Sequence, residues 1–397
     1  MRVALTAAVV TRVAVFALAV QHSSRFWTKD SFEYDALARH FDRPLALSLL
    51  RPPGYPAFLR VVYSVTGRSA THAIVVELVI SVATVIGTYV LARRLLGRPA
   101  AAVAAFALAI DPVSIAMSSN LTTETLFAGL WVLGALLWVA SLETRAWLAA
   151  LAGLVFGLSA LVRPIAEYLP VLLVPLTLAL ARAHRVGAAA LLLVAFAIPT
   201  GLWIARNHHD TGVATLSTVG AHNLLDYRAA GALALDTHRS RVDVARRLDA
   251  EIHRSGNPAR DAQAESSLAW HTLEHHPKGA SVMTVEGLGR VLFGPGRAEL
   301  ARLVVGSTTG PLLLVAVEAG ILFTMLLVAA VGVVLLARAG RWIPLAATLT
   351  FVAYDVVLSA GPEGDARLRM PAAPFLAVLV GAGAVRVVNS RARTSAA

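Results

Sequence analysis

Apolar runs of about 20 residues recur along the chain, and this constrains the fold more than any other feature. Each run is long enough to cross roughly 30 Å of hydrocarbon, where every backbone amide must find its partner within its own segment. Ten such runs can be marked, near residues 3–20, 72–92, 99–117, 124–141, 146–162, 166–181, 187–205, 310–337, 343–359 and 371–388. The pattern predicts an all-α polytopic membrane protein, a bundle of about 10 transmembrane helices. Only 15% of residues are charged, against about a quarter in an ordinary soluble domain, which excludes the soluble class. There is no Cys, so disulfides, thiol catalysis and thiolate metal sites are excluded as well.

A formal charge of +11 would suggest nucleic acid in a soluble chain. Here most basic residues sit at the ends of the runs, as the positive-inside rule requires, and no nucleic-acid partner is expected. Short connections carrying Arg93, Arg94 and Arg98, Arg145, Arg182 and Arg185, and Arg338 and Arg341, with a tail carrying Arg386, Arg391 and Arg393, mark the cytoplasmic side. Both termini then lie there. Lys29 and Lys278 are the only lysines, and the preference for Arg points to a bacterial, high-GC genome and to phosphate recognition. No small-residue cleavage site follows the first run, so it is read as a retained helix. The expected location is the plasma membrane.

On the extracytoplasmic side the connections are long, one over 21–71 and one over 206–309. A connection of the second length is usually functional. Within it, helical spacing over 239–253 and 259–276, ended by Pro277, and an amphipathic stretch over 282–293 predict helices, the last lying along the membrane surface. Residues 1–397 read as one integral membrane domain with an extracytoplasmic helical cap and juxtamembrane helices.

Polar residues gather on that outer side: Asp30 and Tyr34, Arg51 and Tyr55, Thr123 and Glu124, Arg163, Arg206 and Asn207, His222 and Asn223, Arg367 and Arg369. The positive-inside rule keeps Arg from that side unless something there uses it, and planar guanidinium groups suit phosphate, so an anion site at the outer leaflet is expected. Each cluster also has a local reading. Asp30-Ser31-Phe32-Glu33 fits a capping box for a helix over 31–41. Tyr34 shares a helix face with Leu37 and Phe41 and could simply pack. Gly54 permits a sharp turn after Pro52-Pro53. Glu124 is an ordinary first-turn acid, and Arg206 behind Trp203, Arg367 and Arg369 are ordinary interfacial anchors.

Arg12, Glu77, Asp111, Glu318 and Asp355 lie inside the runs, where charge is costly and marks function by default. Arg12 is placed to snorkel toward the cytoplasm, and Glu77 and Asp355 lie near outer ends. Asp111-Pro112 is the deepest, suited to line a water-filled groove or to pair with an Arg. The twelve His show no HExxH spacing, and no metal site is assigned.

Taken together in chain order, these pieces resemble the polyprenyl-phosphate-dependent glycosyltransferases of the GT-C superfamily, in the branch of the protein O-mannosyltransferases and the lipid A aminoarabinose transferases. The resemblance rests on Asp30 and Tyr34, Arg51-Pro52-Pro53-Gly54-Tyr55-Pro56, Thr123-Glu124, Arg163-Pro164, Trp203 with Arg206-Asn207, Leu216-Ser217-Thr218-Val219-Gly220-Ala221-His222-Asn223-Leu224, and Arg367-Leu368-Arg369-Met370-Pro371. The hexapeptide is the most specific of these.

The resemblance implies a lipid-linked sugar donor taken from the outer leaflet, with Asp30 at the reaction centre and Glu124 as the second acidic position. It implies carrier-phosphate contacts at Arg163 and Arg206, joined by Arg367 or Arg369, with Tyr34, Arg51, Tyr55, His222 and Asn223 positioning. The large outer loop lacks the globular domains of larger relatives, so a protein, lipid or polysaccharide acceptor stays open. No residue matches the aminoarabinose branch's metal positions clearly, which leaves a divalent metal open too. The expected reaction is inverting transfer of a hexose or pentose to an acceptor hydroxyl with Asp30 as general base. A transporter or flippase of a lipid-linked or anionic solute, using Asp111, Glu318 and Asp355, is the alternative; a non-catalytic membrane scaffold is a third.

Overall fold

The computed structural model describes residues 1–40, 45–307 and 311–385. The expectations for Phe41 and for the tail with Arg386, Arg391 and Arg393 lie outside those residues. Among the described residues there are helices and turns and no strand.

The chain opens with α1 (Arg2–Val20), then the short α2 (Lys29–Arg39), α3 (Leu45–Leu50) and α4 (Gly54–Thr66). α5 (Ala70–Leu96) crosses the bundle and is followed by α6 (Arg98–Ala109) and α7 (Pro112–Met117), where a single span had been expected over 99–117. Pro112 is the cause, because it pushes Asp111 into extended backbone (φ −66°, ψ 116°). The broken ends are satisfied from both sides. Arg12 Nη1 (3.1 Å) and Thr11 Oγ1 (3.2 Å) donate to the Ala109 carbonyl, while Asp111 Oδ2 accepts from the Ser114 amide (2.8 Å) and hydroxyl (2.6 Å). Arg12 also donates to Ser81 Oγ at 2.8 Å and is buried, so it stitches three helices together and does not snorkel. Asp111 acts as a helix cap.

α8 (Glu124–Glu143), α9 (Trp147–Val162), α10 (Leu169–Leu180) and α11 (Arg185–Thr211) follow. The cap holds α12 (Val219–Asn223), α13 (Ala230–Thr237), α14 (Arg241–Glu251), α15 (Pro258–His275), α16 (Pro277–Phe293) and α17 (Arg297–Val305). The expected amphipathic stretch at 282–293 lies within the longer α16, because Pro277 both ends α15 and opens α16 at a position where its missing N–H costs nothing. The bundle closes with α18 (Leu312–Arg338), α19 (Trp342–Leu358) and α20 (Ala373–Ala384). Among the described residues, α1, α5, α8, α11 and α18 are long and apolar enough to cross a membrane; α6, α9 and α19 are shorter apolar helices, as is the stretch Pro164–Leu180 that contains α10.

In a bilayer, helices associate through close packing and not through expulsion of water. α20 is the central post, buried from Ala373 through Ala382, with the Phe375 ring stacked on Phe351 of α19 at 4.4 Å. The Trp138 indole of α8 donates to Thr177 Oγ1 of α10 at 2.8 Å. The Arg-rich connections meet at one end of the bundle: Arg94 pairs with Glu143 at 3.0 Å, the Arg182 amide donates to the Leu142 carbonyl at 3.1 Å, and Arg341 to the Leu95 carbonyl at 2.6 Å. The cap and the cluster around Asp30 occupy the other end.

Candidate active site

α2 begins two residues earlier than a cap at Asp30 would require. Thr28 is the N-cap: its hydroxyl accepts from the Ser31 amide (3.3 Å), and Ser31 Oγ accepts from the Thr28 amide (2.9 Å). Thr28 and Ser31 therefore form the capping box expected of Asp30 and Glu33. Asp30 and Glu33, one turn apart on a shared face, turn their carboxylates to a neighbouring segment. Arg51 donates from Nη2 to Asp30 Oδ1 (2.8 Å) and from Nε to Glu33 Oε2 (2.7 Å). From the far end of the chain, Arg367 Nη1 reaches Asp30 Oδ2 at 3.3 Å. Asp30 thus lies between two guanidinium groups, each on a different oxygen.

Arg51 is held by its own segment. The Thr218 amide donates to the Leu49 carbonyl (2.9 Å) and Ser217 Oγ to the Leu50 carbonyl (2.8 Å), and Pro52-Pro53 removes freedom on the other side. The Gly54 that follows serves a close approach and not the expected turn. It lacks a positive φ, and a Cβ there would stand 2.7 Å from the Leu161 carbonyl carbon and oxygen. Without that Cβ, the start of α4 abuts the end of α9, and Arg163 emerges beside the hexapeptide.

Glu124 opens α8 and is nearly inaccessible; it pairs with Arg163 Nη1 at 2.8 Å, and that guanidinium also lies 5.7 Å from the Phe127 ring centroid. Beneath Arg51 lies the Tyr34 ring, 5.3 Å from guanidinium carbon to centroid, and Tyr34 meets Tyr55 edge-on at 5.0 Å. Burial works against the charge on Arg51, but Tyr34, Asp30 and Glu33 outweigh it and hold the guanidinium above its ordinary value. Arg367 is shifted the same way: burial opposes its charge, and Glu124, Asp365 and Asp30 prevail. Burial raises the Tyr34 phenol, which stays neutral.

A second set of guanidinium groups braces this arrangement by donating to backbone carbonyls. Arg302 reaches the carbonyls of Arg25 (2.6 Å) and Trp27 (3.0 Å) and the Asn120 side chain (2.6 Å), while Arg25 reaches the Leu303 carbonyl at 3.1 Å. The Leu121 amide donates to the Phe26 carbonyl at 3.0 Å. The segments carrying Asp30 and Glu124 are thereby locked to α17. Arg228 and Arg290 tie the cap to residues 358–364 in the same manner.

Arg369 belongs to this bracing set. It is buried and donates to the carbonyls of Val291, Leu292 and Gly294 at 2.5 to 3.1 Å, closing the end of α16. Arg206 pairs with Asp210 (3.0 Å) and lies over the Trp203 ring at 4.9 Å; Trp203 in turn lines a tight crevice with Leu37, Ser48, Arg51, Pro53 and Pro56. It therefore adjoins the cluster without entering it. His222 pairs with Asp226 at 3.1 Å in the cap, and Asn223 closes α12. Asp355 and Glu318 are buried in the bundle, the latter with neither oxygen hydrogen-bonded. Among the described residues no group of three or more His, Asp or Glu side chains is arranged to hold a metal ion.

Sequence reasoning did not bring out Glu33 as an Arg51 ligand, nor Arg25 and Arg302 as braces. The signals were present: Glu33 lies one helical turn from Asp30, and both arginines stand on the side where the positive-inside rule disfavours them.

An apolar groove of about 410 Å³ runs between α10 and α19, from Trp342 to Ala353 with Leu172 and Leu180 opposite. At its upper end Tyr354 donates to the Ile165 carbonyl, two residues beyond Arg163.

The helical membrane bundle under a helical cap shares its fold with solved membrane enzymes. An archaeal oligosaccharyltransferase from Archaeoglobus fulgidus, in complex with an inhibitory peptide and a dolichol-phosphate, superposes with a TM-score of 0.55 at 12% identity, covering 95% of this chain and 50% of that one. An oligosaccharyltransferase from the same organism, with Zn and sulfate, gives 0.52 at 13% identity over 95% and 48%. This chain therefore spans about half the length of those relatives. ArnT from Cupriavidus metallidurans bound to undecaprenyl phosphate aligns at 0.40 and 18% identity, over 97% of this chain and 76% of that one. In sequence, the family described as dolichyl-phosphate-mannose-protein mannosyltransferase matches residues 50–204, from the hexapeptide into α11. No curated protein matches in sequence.

Proposed function

We propose that this protein transfers a sugar from a polyprenyl-phosphate carrier to an acceptor hydroxyl on the extracytoplasmic side, with inversion at the anomeric carbon. The observation that carries the reading is Asp30 bracketed by Arg51 (2.8 Å) and Arg367 (3.3 Å) beside the Glu124–Arg163 pair. Asp30 accepts the acceptor's proton as its oxygen attacks the anomeric carbon, and the bond from that carbon to the carrier phosphate breaks. A carboxylate has about four lone-pair directions; the two guanidinium groups leave room on each oxygen for the incoming hydroxyl.

The departing phosphate gains negative charge. Arg163, held by Glu124, neutralises it together with Arg367, and Arg206 waits at the edge of the site. Stabilising the leaving group in this way is usually the largest contribution to such a reaction. The groove between α10 and α19 offers an apolar wall for the prenyl chain that ends beneath Arg163. Arg369 has no part in this chemistry.

The test is incubation of the purified, reconstituted protein with labelled polyprenyl-phosphate sugars and a membrane extract. A new glycosidic product with release of the carrier phosphate is expected. Passage of label across a liposome with no such product would replace transferase with transporter.

A further inference from the structure

Glu77 is a carboxyl group inside α5 with no cation paired to it. It is completely buried, one oxygen has no hydrogen-bond partner, and the other accepts from the Tyr55 hydroxyl. Tyr55 is equally buried. A Phe–Leu pair would fill the same space with no polar group to satisfy, and placing a carboxyl at such a site costs several kcal/mol or more. What the pair provides that a Phe–Leu pair would not is direction: an O–H···O bond fixes where the Tyr55 ring lies.

That ring is the first member of a stack leading to the candidate active site. Tyr55 meets Tyr34 at 5.0 Å with the planes 76° apart, and the Arg51 guanidinium sits over Tyr34 at 5.3 Å. Arg51 grips Asp30 at 2.8 Å and Glu33 at 2.7 Å. Nearby, the Tyr63 hydroxyl donates to Asp35 at 3.0 Å and fixes α4 against α2, so the stack has rigid sides. We propose that Glu77 is a positioning residue of the active site, acting through Tyr55 and Tyr34 to set the Arg51–Asp30 pair. This rests on the glycosyltransfer reading, in which Asp30 must meet the acceptor hydroxyl within hydrogen-bond reach. A displacement of about 1 Å at such a group is enough to cost on the order of 100-fold in rate.

Three variants in the full-length protein test it: Glu77→Leu, which removes the acceptor; Tyr55→Phe, which keeps the ring and removes the donor; and Glu77→Gln, which keeps an acceptor. Steady-state transfer is measured with the donor that the wild type uses. Glu77→Leu and Tyr55→Phe are each expected to lower kcat by about 10- to 100-fold with donor KM within about twofold. The double variant should be no slower than the worse single, because both changes break one bond. Glu77→Gln should stay within about threefold of wild type, a rescue that loss of packing alone would not give.

Should Glu77→Leu fail to fold, Tyr55→Phe and Glu77→Gln carry the test. Near-normal kcat in Tyr55→Phe, a raised KM with unchanged kcat, or losses that multiply in the double variant would overturn the inference. Failure of the underlying reading looks different: then Asp30→Asn would also be active, or the wild type would form no glycoside.

Discussion

Replacing Asp30 by Asn is the sharpest test of the site, because the structure separates its chemical cost from its structural one. The side chain keeps its size, and neither guanidinium is left without a partner. Arg51 still holds Glu33 at 2.7 Å, and Arg367 remains 3.5 Å from Asp365. Both pairs made by Asp30 are partly exposed, so the fold should lose about 1 kcal/mol or less. A general base contributes roughly 10²- to 10⁴-fold, which at 1.36 kcal/mol per decade is about 3–5 kcal/mol of barrier. Turnover should therefore fall by at least about 100-fold while thermal unfolding in detergent barely moves. Donor binding, measured by displacement of a labelled polyprenyl-phosphate sugar, should be retained. An Asp30→Asn enzyme within about threefold of wild-type kcat, or one whose loss is explained by lost donor affinity, would remove Asp30 from the chemistry.

Gly54→Ala should abolish transfer by a purely steric route: the new Cβ meets the Leu161 backbone, and thermal stability should drop by about 1–3 kcal/mol or more. Arg369→Ala frees three carbonyls at the end of α16 and should cost about 2–4 kcal/mol of stability with donor affinity unchanged in the folded fraction. Arg206→Ala should weaken donor binding by roughly tenfold in a titration, a loss of about 1.4 kcal/mol; unchanged affinity would make it an anchor only.

The membrane class was legible because a span must be apolar for about 20 residues, and such runs survive any detail of packing. Every one of the ten expected runs falls at least partly on helix among the described residues. The break at Asp111-Pro112 was visible as a Pro, but its repair by Arg12 depends on a helix 97 positions away and could not be read locally. The same limit governs the site. Asp30, Arg51 and Arg163 stood out by residue type, yet whether Asp30 caps α2 or faces Arg51 turned on Thr28, an equally good N-cap two residues earlier. Arg367 and Arg369 look interchangeable in the sequence. Two residues apart on a 3₁₀ stretch they point to different neighbours, so one meets a carboxylate and the other three carbonyls.

The pairing of Asp30 with Arg367 joins groups 337 positions apart. During synthesis, then, the first loop is complete long before its second guanidinium exists, and ribosomes must read almost the entire message before that contact can close. A nascent chain stalled ahead of residue 367 would therefore carry Asp30 with half of its clamp missing.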